Sequence, residues 1–229
     1  SVTELTVTGT VHFKVTKLNV YETTTIDGML SLDSSKTSKF ALLTSAGDEV
    51  STLELLSPAV VSAITNPMTL TVKAAGVSLD TPIEKDDLTV NIQGSGSLLV
   101  KANVQLKKLN IESAQSNVVR VIGSSVLTLN GSINIVPTSV TTSKSYYAIS
   151  SEQQDNVVVS DSTQVTIDDV DRDCVTLVKY QTPPQTNTVE FAESRIEVGC
   201  ANERLVHCAA SKTYDCPDPV QCTVVVDGG

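Results

Sequence analysis

One pattern limits what this chain can fold into: an apolar–polar–apolar triplet that recurs at an interval close to twenty residues. Leu70-Thr71-Val72, Val90-Asn91-Ile92, Leu109-Asn110-Ile111 and Ile133-Asn134-Ile135 share it, and their middle residues lie 20, 19 and 24 positions apart. Leu18-Asn19-Val20 and Val165-Thr166-Ile167 repeat the triplet off that spacing. About twenty residues is the length of one coil of a β-solenoid, in which each turn stacks its strands on the turn before and buries a narrow aliphatic core. The expected fold is therefore all-β, a right-handed parallel β-solenoid. A β-sandwich is the alternative, because its strands also alternate apolar and polar residues between turns spaced about 8–12 residues apart.

Composition supports strand over helix. Ser and Thr make up roughly a quarter of the 229 residues, hydrophobic residues 40% and aromatic residues only 3%, with no Trp. β-branched side chains favour extended backbone, and a core with so few rings must be thin and lined by Val, Ile and Leu. Residues 4–26 alternate apolar and polar positions at Leu5, Val7, Val11, Phe13 and Val15 and resume at Leu18 and Val20, which predicts a long strand with one buried face. Residues 50–64 carry Leu53, Leu55, Leu56, Val60, Val61 and Ile64 in a mixed period interrupted by Pro58, and a short helix or irregular cap is expected there. After residue 68, short strands alternate with Gly, Ser, Asn and Asp.

The stretch 88–135 contains strand–Gly-Ser-Gly–strand units with Gly94-Ser95-Gly96 and Gly123-Ser124-Ser125 at the corners. In this it resembles the bacterial adhesin head domains of the GIN/DUF2807 type. The resemblance implies a right-handed β-solenoid and a surface role in adhesion.

All five cysteines lie late, at Cys174, Cys200, Cys208, Cys216 and Cys222. The last four are spaced without the C-x2-C pairs of zinc ribbons, and the nearest imidazole is His207, so disulfides are expected rather than a metal. Four cysteines allow three pairings, and Cys174 either joins the cluster or stays free. This usage fits an oxidising compartment, as does a start at Ser1 rather than Met, which a removed leader would leave. No apolar run reaches the 18 residues that suggest a membrane span. Residues 1–149 carry 11 basic and 12 acidic side chains, whereas residues 150–229 carry 5 and 14, so most of the net charge of −10 belongs to the last third. Two units are expected: a solenoid or sandwich over 1–185 and a Cys-rich, disulfide-stapled segment over 186–229.

The strongest chemical motif is the acidic run Asp168-Asp169-Val170-Asp171-Arg172-Asp173. Asp169, Asp171 and Asp173 imitate the first three ligands of a calcium loop, but Cys174 stands where the turn glycine belongs and Tyr180 where the closing Glu belongs. A weak Ca2+ site is the functional expectation, against a solvated acidic turn. Paired aspartates also serve glycosidases and lyases, yet neither His12 nor His207 lies in a local catalytic motif. Asn130-Gly131-Ser132 is a glycosylation sequon and reads as an exposed turn.

An acidic chain is repelled by phosphate backbones and anionic membranes, which excludes nucleic acid as the expected partner and membrane insertion as the expected mode. The expectation is a non-enzymatic extracellular structural or adhesive protein, self-associating into a surface filament or layer, with surface glycans as further partners. A carbohydrate- or calcium-binding module is the alternative, and a cell-wall glycosidase or lyase the third reading.

Overall fold

A computed structural model describes residues 1–65, 67–84, 87–138, 145–160, 162–167, 174–180, 189–192, 195–198 and 203–208. It is all-β apart from one 3-10 turn, Gln154–Asn156. The first strands are β1 (Leu5–Val15), β2 (Asn19–Ser34), β3 (Ser38–Ser45), β4 (Ser51–Leu55), β5 (Ala59–Thr65) and β6 (Met68–Val72). They continue as β7 (Val77–Leu79), β8 (Leu88–Gln93), β9 (Leu98–Val100), β10 (Val104–Ser113), β11 (Val119–Val121) and β12 (Leu127–Pro137). The last are β13 (Ser145–Ser151), β14 (Val157–Val159), β15 (Gln164–Ile167), β16 (Cys174–Tyr180), β17 (Val189–Ala192), β18 (Arg195–Val198) and β19 (Glu203–Cys208).

The pairing is that of a parallel β-solenoid. Each strand in the series β4, β6, β8, β10 and β12 lies parallel to the one a full coil earlier, as do β3, β5, β7, β9, β11, β13 and β16. A sandwich of antiparallel hairpins is excluded by this register. The coil has three sides, because the longer strands turn corners without losing their pairing: β2 matches β3 through its first half and β4 through its second, with a register shift between Val20 and Thr23. Two faces of the coil thus come from one strand.

Each buried column is built of like residues stacked in register. Leu30, Leu53, Leu70, Val90, Leu109 and Ile133 form one, and Leu32, Leu55, Val72, Ile92, Ile111 and Ile135 the next; all are buried. On another side Phe40, Val61, Leu79, Val100 and Val121 stack in the same manner. Burying a side chain of this size contributes about 1.5–3 kcal/mol, and the parallel register makes each column continuous.

The segment 50–64 is not helical. It forms β4 and β5, which lie on different sides of the coil and are separated by the corner at Ser57-Pro58. The mixed spacing of its apolar residues records that change of side. Corners are otherwise closed by hydroxyls: the Ser57 Oγ accepts from the Ser34 N–H at 2.9 Å, the Ser34 and Ser57 hydroxyls meet at 2.8 Å, and Ser38 donates to Ser34 at 3.0 Å. These three serines are buried, and their mutual bonds satisfy groups that water cannot reach.

One corner requires glycine. Gly9 of β1 and Gly28 of β2 are register partners, both with positive φ, at +74° and +114°. A Cβ on Gly28 would collide with the Gly9 carbonyl oxygen. Gly28→Ala should therefore lower stability by about 2 kcal/mol or more. Gly47→Ala, also at positive φ but with open space around the new Cβ, should cost less. Thermal melts of the two variants check this, and equal midpoints would show that the close approach at Gly28 carries no energetic weight.

Candidate functional site

The triplets seen in the sequence converge on one side of the coil. Their middle residues form a single outward column in the order His12, Ser31, Glu54, Thr71, Asn91, Asn110, Asn134 and Thr166, each the register partner of the next. Thr166 belongs to it despite its irregular spacing, whereas Asn19 pairs with Lys39 on a different side. His12, Ser31 and Glu54 sit in triplets of the same kind, Val11-His12-Phe13, Leu30-Ser31-Leu32 and Leu53-Glu54-Leu55, which sequence reasoning missed.

Three asparagines form an amide ladder. The Asn134 Nδ2 donates to the Asn110 Oδ1 at 2.8 Å, the Asn110 Nδ2 donates to the Asn91 Oδ1 at 2.6 Å, and the Asn91 Nδ2 reaches the Thr71 Oγ1 at 3.4 Å. All three asparagines are half-buried. Asparagine suits the position because its amide carries both a donor and an acceptor, so identical residues satisfy one another along a parallel stack.

Below the ladder the column becomes charged. The Glu54 side chain, 17% exposed, accepts from the Lys73 ammonium at 2.6 Å through Oε1 and from the Ser31 hydroxyl at 2.7 Å through Oε2. Lys73 lies two residues beyond Thr71, the register partner of Glu54, a diagonal separation that a long side chain spans. The Lys73 hydrogen bond, followed by that of Ser31, holds the Glu54 carboxyl below its ordinary pKa. His12, Ser31 and Glu54 in consecutive rungs have the residue types of a hydrolytic triad but not its order. A nucleophilic serine needs the imidazole as its base with the carboxylate behind that imidazole; here Ser31 donates straight to Glu54 and is only 2% exposed. The arrangement holds a polar column together and leaves no reachable nucleophile.

Asp169, Asp171 and Asp173, with Asp168, lie outside the described residues, as do Cys200, Cys216 and Cys222. Among the described residues no three His, Cys, Asp or Glu side chains are placed to hold a metal ion, and no helix is long and apolar enough to cross a membrane. Cys174 opens β16 and Cys208 closes β19. Asn130 is not in an exposed turn. It is half-buried within β12, where Asn130 and Gly131 together oppose the single residue Lys107 as a β-bulge, and its Oδ1 accepts from the Ser160 hydroxyl at 2.6 Å. The Asn-Gly pair marks a corner of the coil, where a Cβ on Gly131 would strike the Lys107 carbonyl.

No family model, curated protein or solved structure matches the chain.

Two substitutions test the column. Because the folded-state pKa of Glu54 is depressed, its contribution to stability is present above the unfolded value, near 4.5, and is lost as pH falls through the lower folded value. Glu54→Gln should therefore be less stable than the parent at pH 7, and the gap should close as pH falls below 4.5 and through the lower folded value; a gap independent of pH would place the effect in packing instead. Asn110→Asp keeps an acceptor for Asn134 but turns an oxygen towards the Asn91 Oδ1, so it should cost about 1–3 kcal/mol at neutral pH by chemical denaturation, whereas a neutral outcome would show that the ladder rearranges freely.

Proposed function

We propose that this chain is an extracellular structural or adhesive protein whose β-solenoid pairs with further copies of itself to build a surface filament or layer. The observation that carries this reading is the N-terminal pole of the stack. The 11-residue strand β1 pairs with β2 along one edge, and among the described residues its other edge has no ladder partner. At the same pole Leu5, Val11 and Phe13 pack on the core while remaining partly exposed. An edge this long, without Pro, is a template for another strand, and natural proteins blunt such edges with Lys or Pro when association is unwanted. β1 carries a single Lys, Lys14.

The resemblance of residues 88–135 to adhesin head domains agrees with a surface role, and the late cysteines agree with an oxidising compartment. The net charge of −10 opposes approach of two copies at low salt and is screened as ionic strength rises, since the Debye length falls from about 30 Å at 0.01 M to about 8 Å at 0.15 M.

Sedimentation velocity across that salt range should show association that strengthens with salt. Thr6→Lys combined with Thr10→Lys, both at exposed positions of β1, should abolish it while leaving the melting transition in place. A strict monomer at every ionic strength removes the self-association reading. The polar column would then become the first surface to titrate with soluble glycans and calcium, in keeping with the binding-module alternative.

A further inference from the structure

The stack ends differently at its other pole. β16 pairs in parallel with β13 along one edge, from Ser145 opposite Cys174 to Ser151 opposite Tyr180. Along its other edge it pairs with β19, and this ladder is antiparallel. Reversal of direction stops the coil, since a further turn of the solenoid would have to present a parallel strand at that place. β19 comes from the Cys-rich segment, and its register sets His207 opposite Val175, Val206 opposite Thr176 and Cys208 opposite Cys174.

We propose that Cys174 and Cys208 form a disulfide that fastens the antiparallel strand over the last coil. Residues directly opposite in an antiparallel ladder have Cα atoms about 4.5–5.5 Å apart, inside the roughly 4.4–6.8 Å that a disulfide spans. Among the described residues Cys208 is the one late cysteine, and it lies within the strand paired to β16. Cys174 is the first residue of β16 and Cys208 the last of β19, so the bond closes the end of the two-stranded ladder, where fraying would begin. Cross-linking two residues 34 positions apart also removes conformations from the unfolded chain, which stabilises the capped state.

The chemistry is thiol–disulfide exchange with a small-molecule disulfide such as oxidised glutathione. One cysteine thiolate attacks a sulfur of the oxidant, forming a mixed disulfide and releasing one glutathione thiolate. The second cysteine thiolate then attacks the protein sulfur of that mixed disulfide and releases the other glutathione. Two thiol protons pass to solvent or to the released thiolates, two electrons pass to the oxidant, and one S–S bond replaces another. With Cys208 engaged, the 200–222 cluster keeps Cys200, Cys216 and Cys222. At most one further bond then forms within the chain, leaving a thiol for another copy. Of the two expectations from the sequence, that Cys174 joins the cluster or that it stays free, this pairing takes the first.

The test is peptide mapping of the full chain, folded in a glutathione redox buffer, with free thiols alkylated before digestion. Trypsin separates the two cysteines cleanly, into Asp173–Lys179 after Arg172 and Leu205–Lys212 after Arg204. The expected result is a linked pair of these two peptides that disappears on reduction. Cys174→Ser, Cys208→Ser and the double variant should lower the melting temperature by the same amount, because either single change already breaks the bond. Recovery of both peptides alkylated from protein with an intact strand spectrum, or either one linked to Cys200, Cys216 or Cys222, overturns the assignment. So do single variants whose effects add in the double variant.

Discussion

Parallel stacking in register is the constraint on which everything else in this molecule depends. The backbone of each coil finds its hydrogen-bond partners in the coils above and below, and that register places each residue on its counterpart one turn away. A column therefore keeps its apolar or polar character from coil to coil. An apolar column such as Leu32, Leu55, Val72, Ile92 gains from likeness, because each new layer extends a dry core. A charged column would lose by it, since like charges would meet at the strand spacing of about 4.8 Å. The polar face accordingly admits one carboxylate, Glu54, set between hydroxyl residues and compensated from the diagonal by Lys73, and fills the following rungs with amides that bond to their own kind.

That constraint also explains which parts of the fold were legible in the sequence. Triplets around Thr71, Asn91, Asn110 and Asn134 stand out because turn residues isolate them and the coils between them have nearly equal length. The equivalent triplets around His12, Ser31 and Glu54 are hidden: the first two lie inside long strands that run on through corners, and the third runs straight into Leu56. Residues 50–64 misled for a related reason. A three-sided coil resets the phase of alternation at each corner, so apolar residues on two successive sides fall three or four apart and imitate a helix. Pro58 was informative, but as the corner itself and not as a helix breaker.

Asn130 shows the same ambiguity at one residue. Asn-Gly between two apolar runs is a strong hairpin signal when the runs return antiparallel, whereas in a solenoid it serves as a bulge at which the chain changes side while staying paired to the coil below. Local sequence carries the kink and not its purpose. The pole formed by β16 and β19 lay beyond such reading altogether, since the facing of Cys174 and Cys208 depends on the direction in which a later strand returns.

The asparagine ladder has a directional consequence. Every amide in it donates towards the N-terminal pole, and Asn110 and Asn91 accept from the side of the C-terminal pole, so the side-chain dipoles point one way and add. Backbone dipoles nearly cancel across most sheets, but these add along the stacking axis and polarise one another as hydrogen bonds in chains do. The positive end of the array points at Thr71, and the next rung beyond Thr71 is Glu54. The single anion of the column thus occupies the position that a carboxylate takes at the start of an α-helix, and this solenoid carries along one of its faces a macrodipole made from side chains.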